Sequence, residues 1–87
     1  MQLVLYSKPG CHLCEGLEEK LRQVQGVELE IRDITTRDDW FQSYEYEVPV
    51  VLMQPSSVPL PRFSPRSSVP QITQLLIKYR SERAEKS

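Results

Sequence analysis

With 87 residues the chain has room for one domain spanning 1–87, and a chain of this size buries roughly 60% of its unfolded surface on folding. Its 39% hydrophobic and 26% charged residues are those of an ordinary soluble globular protein, outside the disordered and membrane classes. A formal net charge of −1 gives no reason to expect nucleic acid or an anionic membrane as partner, no run approaches the ~18 apolar residues a membrane span needs, and no signal peptide precedes the first apolar stretch, so the expected location is cytoplasmic.

Leu3-Val4-Leu5-Tyr6 lacks the alternation of a half-exposed strand and reads as a buried central one. Ser7-Lys8-Pro9-Gly10 makes a turn. After it Leu13, Leu17, Leu21 and Val24 recur four, four and three residues apart, the spacing of one helical face. Glu15, Glu18, Glu19, Lys20, Arg22 and Gln23 fill most of the remainder, and Gly26 supplies the left-handed residue that commonly ends a helix. Val27, Leu29 and Ile31 then alternate with Glu28, Glu30 and Arg32, the period of a strand with one face toward solvent. Strand, helix, strand with short turns is a βαβ unit, which implies two parallel strands and a right-handed crossover.

Thr36 and Asp39 have the spacing of a capping box ahead of a short helix that carries Trp40, Phe41 and Tyr44. The simplest role for these aromatics is packing on the sheet. Val48-Pro49-Val50-Val51-Leu52-Met53 is an apolar, β-branched strand with a proline at its start, where a missing N–H is tolerated. Pro55, Pro59, Pro61 and Pro65 deny a further central strand, leaving at most an irregular edge strand over residues 60–63. The last helix has its N-cap at Ser67 or Ser68, Pro70 in its first turn, and a core stripe of Ile72, Leu75, Leu76 and Tyr79. Residues 80–87 are charged, lack apolar spacing and are expected to fray.

Both cysteines, Cys11 and Cys14, fall where the first strand hands over to the first helix. The N–H groups opening a helix have no partner within it and carry the positive end of its dipole. A sulfur there is stabilised as thiolate, the form that reacts, and Cys14 one turn further on is near enough to close a disulfide with it. As a structural staple the pair achieves little, because so short a loop barely restricts the unfolded chain. The spacing beside a strand–helix–strand pattern points to thiol–disulfide exchange. A metal module is the rival reading: Cys11, His12 and Cys14 are potential ligands, but tetrahedral zinc wants four and the chain offers no further Cys or His.

The order β-α-β-α-β-(β)-α, with Cys-x-x-Cys opening the first helix and Val48-Pro49 opening the third strand, resembles the thioredoxin fold. The run Leu-Tyr-Ser-Lys-Pro-Gly-Cys-His-Leu-Cys resembles, more narrowly, the small glutaredoxins and their glutaredoxin-like relatives, and the resemblance extends from Leu3 to Tyr79. It implies an α/β, thioredoxin-like fold with a three- to four-stranded mixed sheet flanked by three helices. It also implies a thiol–disulfide oxidoreductase in which Cys11 is the nucleophile and Cys14 the more buried, resolving thiol. By the same resemblance Pro49 is cis and lies against the sulfurs, and the exposed backbone of Val48 pairs with a substrate peptide or with glutathione. Lys8 favours thiolate at Cys11, His12 adds positive charge when protonated, and Glu15 opposes both.

The sequence departs from that family in two places. The Gly-Gly-x-Asp segment that holds the γ-glutamyl end of glutathione is replaced by Phe63-Ser64-Pro65-Arg66-Ser67-Ser68, where Arg66 and the N–H groups opening the last helix would hold a carboxylate instead. Leu13 stands where an aromatic is common. The resemblance implies no required cofactor, with glutathione as an optional co-substrate. It implies protein or low-molecular-weight disulfides as partners, glutathione or a thioredoxin reductase system as reductant, and action as a monomer. Its alternatives are an iron–sulfur cluster bridging two chains, as some glutaredoxins hold, and a binding protein that kept the fold and lost turnover.

Overall fold

Leu3, Val4, Leu5 and Tyr6 are all buried, because the strand that carries them has a neighbour on each side and a packed layer on each face. The computed structural model describes residues 1–55 and 57–86, the last six of these by their backbone alone. β1 (Gln2–Ser7) pairs in parallel with β2 (Glu28–Asp33), placing Leu3 opposite Leu29 and Leu5 opposite Ile31. On its other side it pairs antiparallel with β3 (Val50–Met53), Leu5 opposite Val51. β4 (Val58–Pro59) adds two residues beyond β3, so the mixed sheet has the order β2-β1-β3-β4. α1 (His12–Arg22) joins β1 to β2, a 3₁₀ turn (Ile34–Thr36) and α2 (Asp38–Tyr44) join β2 to β3, and α3 (Val69–Lys86) closes the order. This is the α/β arrangement expected, with four strands and three α-helices among the described residues.

Period two along β1 divides the interior. Leu3 and Leu5 pack with Leu17 and Leu21 of α1 and with Ile72 and Leu76 of α3. Val4 and Tyr6 point to the opposite face, where they meet Ile34, Val48, Leu52 and the half-buried aromatics of α2. Each fully buried Leu or Ile contributes roughly 1.5–3 kcal/mol relative to leaving it in water. The first cluster therefore carries most of the stability, and the second, which includes Cys14, positions the dithiol.

Four local expectations are corrected. Leu13 is 51% exposed rather than in the core. The buried stripe of α1 runs through Cys14, Leu17 and Leu21 and is continued by Val24 just past the helix end, at the same three- and four-residue spacing. α1 stops at Arg22 in a tightened turn, with Gln23 N–H donating to the Lys20 carbonyl and Val24 N–H to that of Leu21; Gly26 is left-handed (φ 79°) but serves the turn into β2. Thr36 does not cap α2, since its hydroxyl donates to the Asp33 carbonyl at 2.7 Å. Asp33 instead caps the 3₁₀ turn, accepting Thr35 N–H at 2.9 Å, and Arg37 sits at the N-cap of α2 without a side-chain cap. The edge strand lies at residues 58–59 rather than within 60–63, so Pro59 falls on the edge of the sheet, where a missing donor is harmless.

α3 starts as expected. Ser68 Oγ accepts Gln71 N–H at 3.2 Å while Gln71 Oε1 accepts Ser68 N–H at 2.8 Å, a reciprocal capping box. The backbone is helical on to Lys86, past the point where fraying is expected at residue 80; Ser87 lies outside the described residues. Substituting Ser68→Ala should lower the stability of the disulfide form by about 1 kcal/mol. Urea unfolding followed by far-UV circular dichroism reads this directly, and an unchanged midpoint would mean that this box does not hold the start of the helix.

Candidate active site

The turn into α1 is built around Cys11. Gly10 adopts φ 79°, a conformation that disfavours any side chain, and it swings the chain so that Cys11 N–H donates to the Lys8 carbonyl at 3.3 Å. Cys11 is extended (φ −86°, ψ 102°) and occupies the N-cap, with its carbonyl accepting Glu15 N–H at 3.1 Å. Its Sγ accepts the N–H of Cys14 at 3.2 Å, so the sulfur fills the place that Ser or Asp oxygen usually takes at a helix start. Cys11 and Cys14 are joined as a disulfide with Cα atoms 5.2 Å apart, within the usual range. Cys14 is only 2% exposed, whereas Cys11 is half-buried. Solvent and partners therefore meet the Cys11 sulfur first.

Polar contacts from Lys8 and Arg62 fix the surroundings. Lys8 Nζ donates to the Glu45 carbonyl at 3.4 Å, tying the dithiol turn to the loop after α2. Val48 is buried in the same cluster as Cys14, and the Val48–Pro49 peptide bond is cis. Arg62 donates to the carbonyls of Glu47 at 3.2 Å and Val48 at 3.5 Å. The backbone of Val48 is thus less open than expected: its N–H already donates to the Tyr44 carbonyl at 3.1 Å and its carbonyl has Arg62. His12 is fully exposed and lies 3.9 Å from Glu15, an exposed pair worth little energetically.

A groove of about 220 Å³ opens beside the disulfide, between one face of α1 (His12, Leu13, Gly16 and Lys20) and a wall formed by Pro49 and residues 62–65. Lys20 Nζ donates to the carbonyls of Pro65 at 2.9 Å and Ser67 at 2.7 Å, holding the far wall in place. Arg66 is exposed and does not line the groove, and its N–H donates to Ser64 Oγ. At the start of α3, Pro70 has no N–H and that of Gln71 is taken by Ser68, so the expected carboxylate cradle is largely occupied by the chain itself. The residues that the sequence reading missed are Lys20 and Arg62. Lys20 reads as filler on a helix face, and Arg62 lies in a proline-rich stretch without periodicity.

Behind the sulfurs Tyr6 is stacked on Tyr44 (ring centroids 4.4 Å apart) and meets Trp40 edge-on at 5.7 Å. Its hydroxyl accepts from Arg32 at 2.8 Å. The guanidinium groups of Arg32 and Arg37 lie 5.5 and 4.9 Å from the Trp40 ring centre. A hydrogen bond to Glu30 holds Arg32 still more firmly protonated than usual. Burial, assisted by Tyr6 and opposed by Arg32, raises the Tyr44 hydroxyl above its ordinary pKa of 10.0. Among the described residues no three His, Cys, Asp or Glu side chains converge as a metal-binding group, and no helix is long and apolar enough to cross a membrane.

The family model for the glutaredoxin-like domain (DUF836) matches residues 2–77 of this chain. No curated protein matches it. Among solved structures, the chain is similar to the X-ray structure of Northeast Structural Genomics target protein XcR50 from X. campestris. That likeness has 25% identity, covers 87% of this chain and 96% of the other, and gives a TM-score of 0.70. The solution structure of the same target gives 26% identity, 90% and 95% coverage, and a TM-score of 0.66. Thioredoxin 1 from Thermosipho africanus TCF52B, at 16% identity, 97% and 99% coverage and a TM-score of 0.64, shares the fold.

Two measurements follow from this geometry. A Cβ built on Gly16 meets nothing within 4 Å, so Gly16→Ala should remove the penalty of a mid-helix glycine and raise stability by about 0.5–1 kcal/mol; a destabilised variant would contradict the open floor of the groove. The raised Tyr44 pKa favours the fold through the neutral phenol. That contribution is whole below pH 10.0, the unfolded value, and is lost as pH climbs through the higher folded value. Urea midpoints measured from pH 9 upward (a range of about two units) should therefore fall more steeply in the unmodified protein than in Tyr44→Phe.

Proposed function

The chain belongs to the glutaredoxin-like domain family, and from that premise we propose that it is a thiol–disulfide oxidoreductase working through Cys11 and Cys14. The observation that carries the reading is the unequal placing of the two sulfurs: Cys11 accessible at the mouth of α1 and bonded to the Cys14 N–H, Cys14 sealed beneath it. In the reduced protein that N–H and the positive end of α1 favour thiolate at Cys11. The thiolate attacks one sulfur of a protein or low-molecular-weight disulfide, forming a mixed disulfide and expelling a substrate thiolate that takes up a proton. Cys14 then loses its proton and attacks Cys11 Sγ, expelling the second substrate thiolate, which is protonated in turn. The substrate has gained two electrons and two protons, and the enzyme is left as its Cys11–Cys14 disulfide. A thiol reductant, either glutathione or a thioredoxin reductase system, returns the electrons by the reverse exchange, with no resident cofactor.

Lys8 and Pro49 support this chemistry from either side, Lys8 by fixing the turn and adding positive charge, Pro49 by forming one wall of the cleft. His12 adds charge only when protonated. A reducing cytoplasm is the compartment that such a couple suits.

Substituting Cys11→Ser should reduce disulfide turnover to the uncatalysed rate, while Cys14→Ser should stop after the first exchange and accumulate the mixed disulfide, seen by mass spectrometry. Equal rates for the unmodified protein and Cys11→Ser would remove Cys11 as nucleophile. Turnover of glutathione mixed disulfides by Cys14→Ser would assign glutathione as co-substrate through a one-thiol route.

A further inference from the structure

The groove beside Cys11 has a chemistry that the exchange reaction itself does not use. Lys20 and Arg62 both line it, and both have their charged ends pinned to backbone carbonyls instead of to carboxylates. Counting donors, Lys20 uses two of three N–H groups this way and Arg62 two of five, so one and three remain for a partner. Among the described residues no acidic side chain lines the groove. Leu13, one of the two residues between the cysteines, presents a half-exposed apolar surface to it, and Phe63 lines it from the other wall. Gly16 lies between them with open space where a Cβ would be, although glycine weakens a helix and nothing inside the protein requires it there. The result is a cleft with apolar walls, an open floor and two fixed cations.

We infer that this groove selects an extended polypeptide substrate with an acidic side chain about four residues from its reactive cysteine, an inference that rests on Cys11 being the attacking sulfur. The length follows from geometry. Lys20 is nine residues on from Cys11, the N-cap of α1, a rise along the axis of about 13.5 Å between backbone positions at 1.5 Å per residue, and an extended chain covers that rise in about four residues at ~3.3 Å each. A tripeptide with a central cysteine has its end groups only one residue away and does not reach Lys20 by this path. Because the N–H of Val48 is already bonded within the chain, side-chain recognition in the groove contributes what backbone pairing at Val48 would otherwise supply. Arg62, beside Val48, donates to the acid when the segment runs closer to the sheet.

The test uses Cys14→Ser, in which mixed disulfides on Cys11 persist, and needs no turnover. Two peptides, each supplied as its symmetric disulfide so that one peptide thiol leaves as the mixed disulfide forms, compete at equal concentration and at equilibrium for Cys11. One carries Glu at the fourth residue on either side of a central cysteine, and the other carries Lys there. Mass spectrometry reads the two adducts against the same competition on a small free thiol. The expected preference for the Glu peptide is about tenfold. It falls toward unity in Lys20→Gln combined with Arg62→Gln and at about 0.5 M salt, and Lys20→Arg keeps it. Gly16→Leu, which places a good helix former on the groove floor, lowers capture of both peptides relative to a small thiol. Equal adducts in the starting protein, or a preference untouched by removing both cations, would overturn the inference. So would displacement of the Glu peptide by equimolar glutathione with the same dependence on Lys20. A chain that shows the preference yet reduces no disulfide would sink the oxidoreductase reading and leave this one standing.

Discussion

The N–H groups at the start of an α-helix need acceptors, and in α1 the acceptor for Cys14 is the sulfur of Cys11. One atom thus serves two ends: it completes the helix and it is the more accessible half of the disulfide. The arrangement requires β1 to end, the chain to turn sharply at Gly10, and Cys11 to stay extended, all within four residues. That in turn requires β1 to be held firmly, which its burial between two strands and two packed faces provides. The remaining architecture can be read as support for that one turn.

Loops around the disulfide are fastened in a consistent way. Lys8 holds the carbonyl of Glu45, Arg62 those of Glu47 and Val48, and Lys20 those of Pro65 and Ser67. Each is a cation bonded to neutral main-chain oxygens, so the segments are fixed without neutralising the charge. A carboxylate in the same role would have cancelled it. The periphery of the groove consequently keeps a positive character that the net charge of −1 conceals.

Much of this was legible in the sequence, and the rest was hidden for physical reasons. Strand–helix–strand order, the buried first strand and the dithiol at the hand-over follow from local periodicity and composition, which act over a few residues. The stripe of α1 was misassigned at Leu13 because Cys14 packs as a small apolar residue with the same spacing, and periodicity cannot choose between two adjacent starting points. Capping at Thr36 failed because Asp33, three residues earlier, offered the chain a competing local bond. Lys20 and Arg62 could not be found by pattern at all, since each acts on carbonyls 14 or more residues away, brought near only by the completed fold.

The second packed layer has a further use. Its tryptophan, the sole one in the chain, lies beside the guanidinium groups of Arg32 and Arg37 and packs, like Cys11, against the cluster that contains Cys14. Tryptophan fluorescence therefore originates from a single indole on the same side of the sheet as the sulfurs, giving an experimenter an optical handle on this face of the molecule without a dye or a tag.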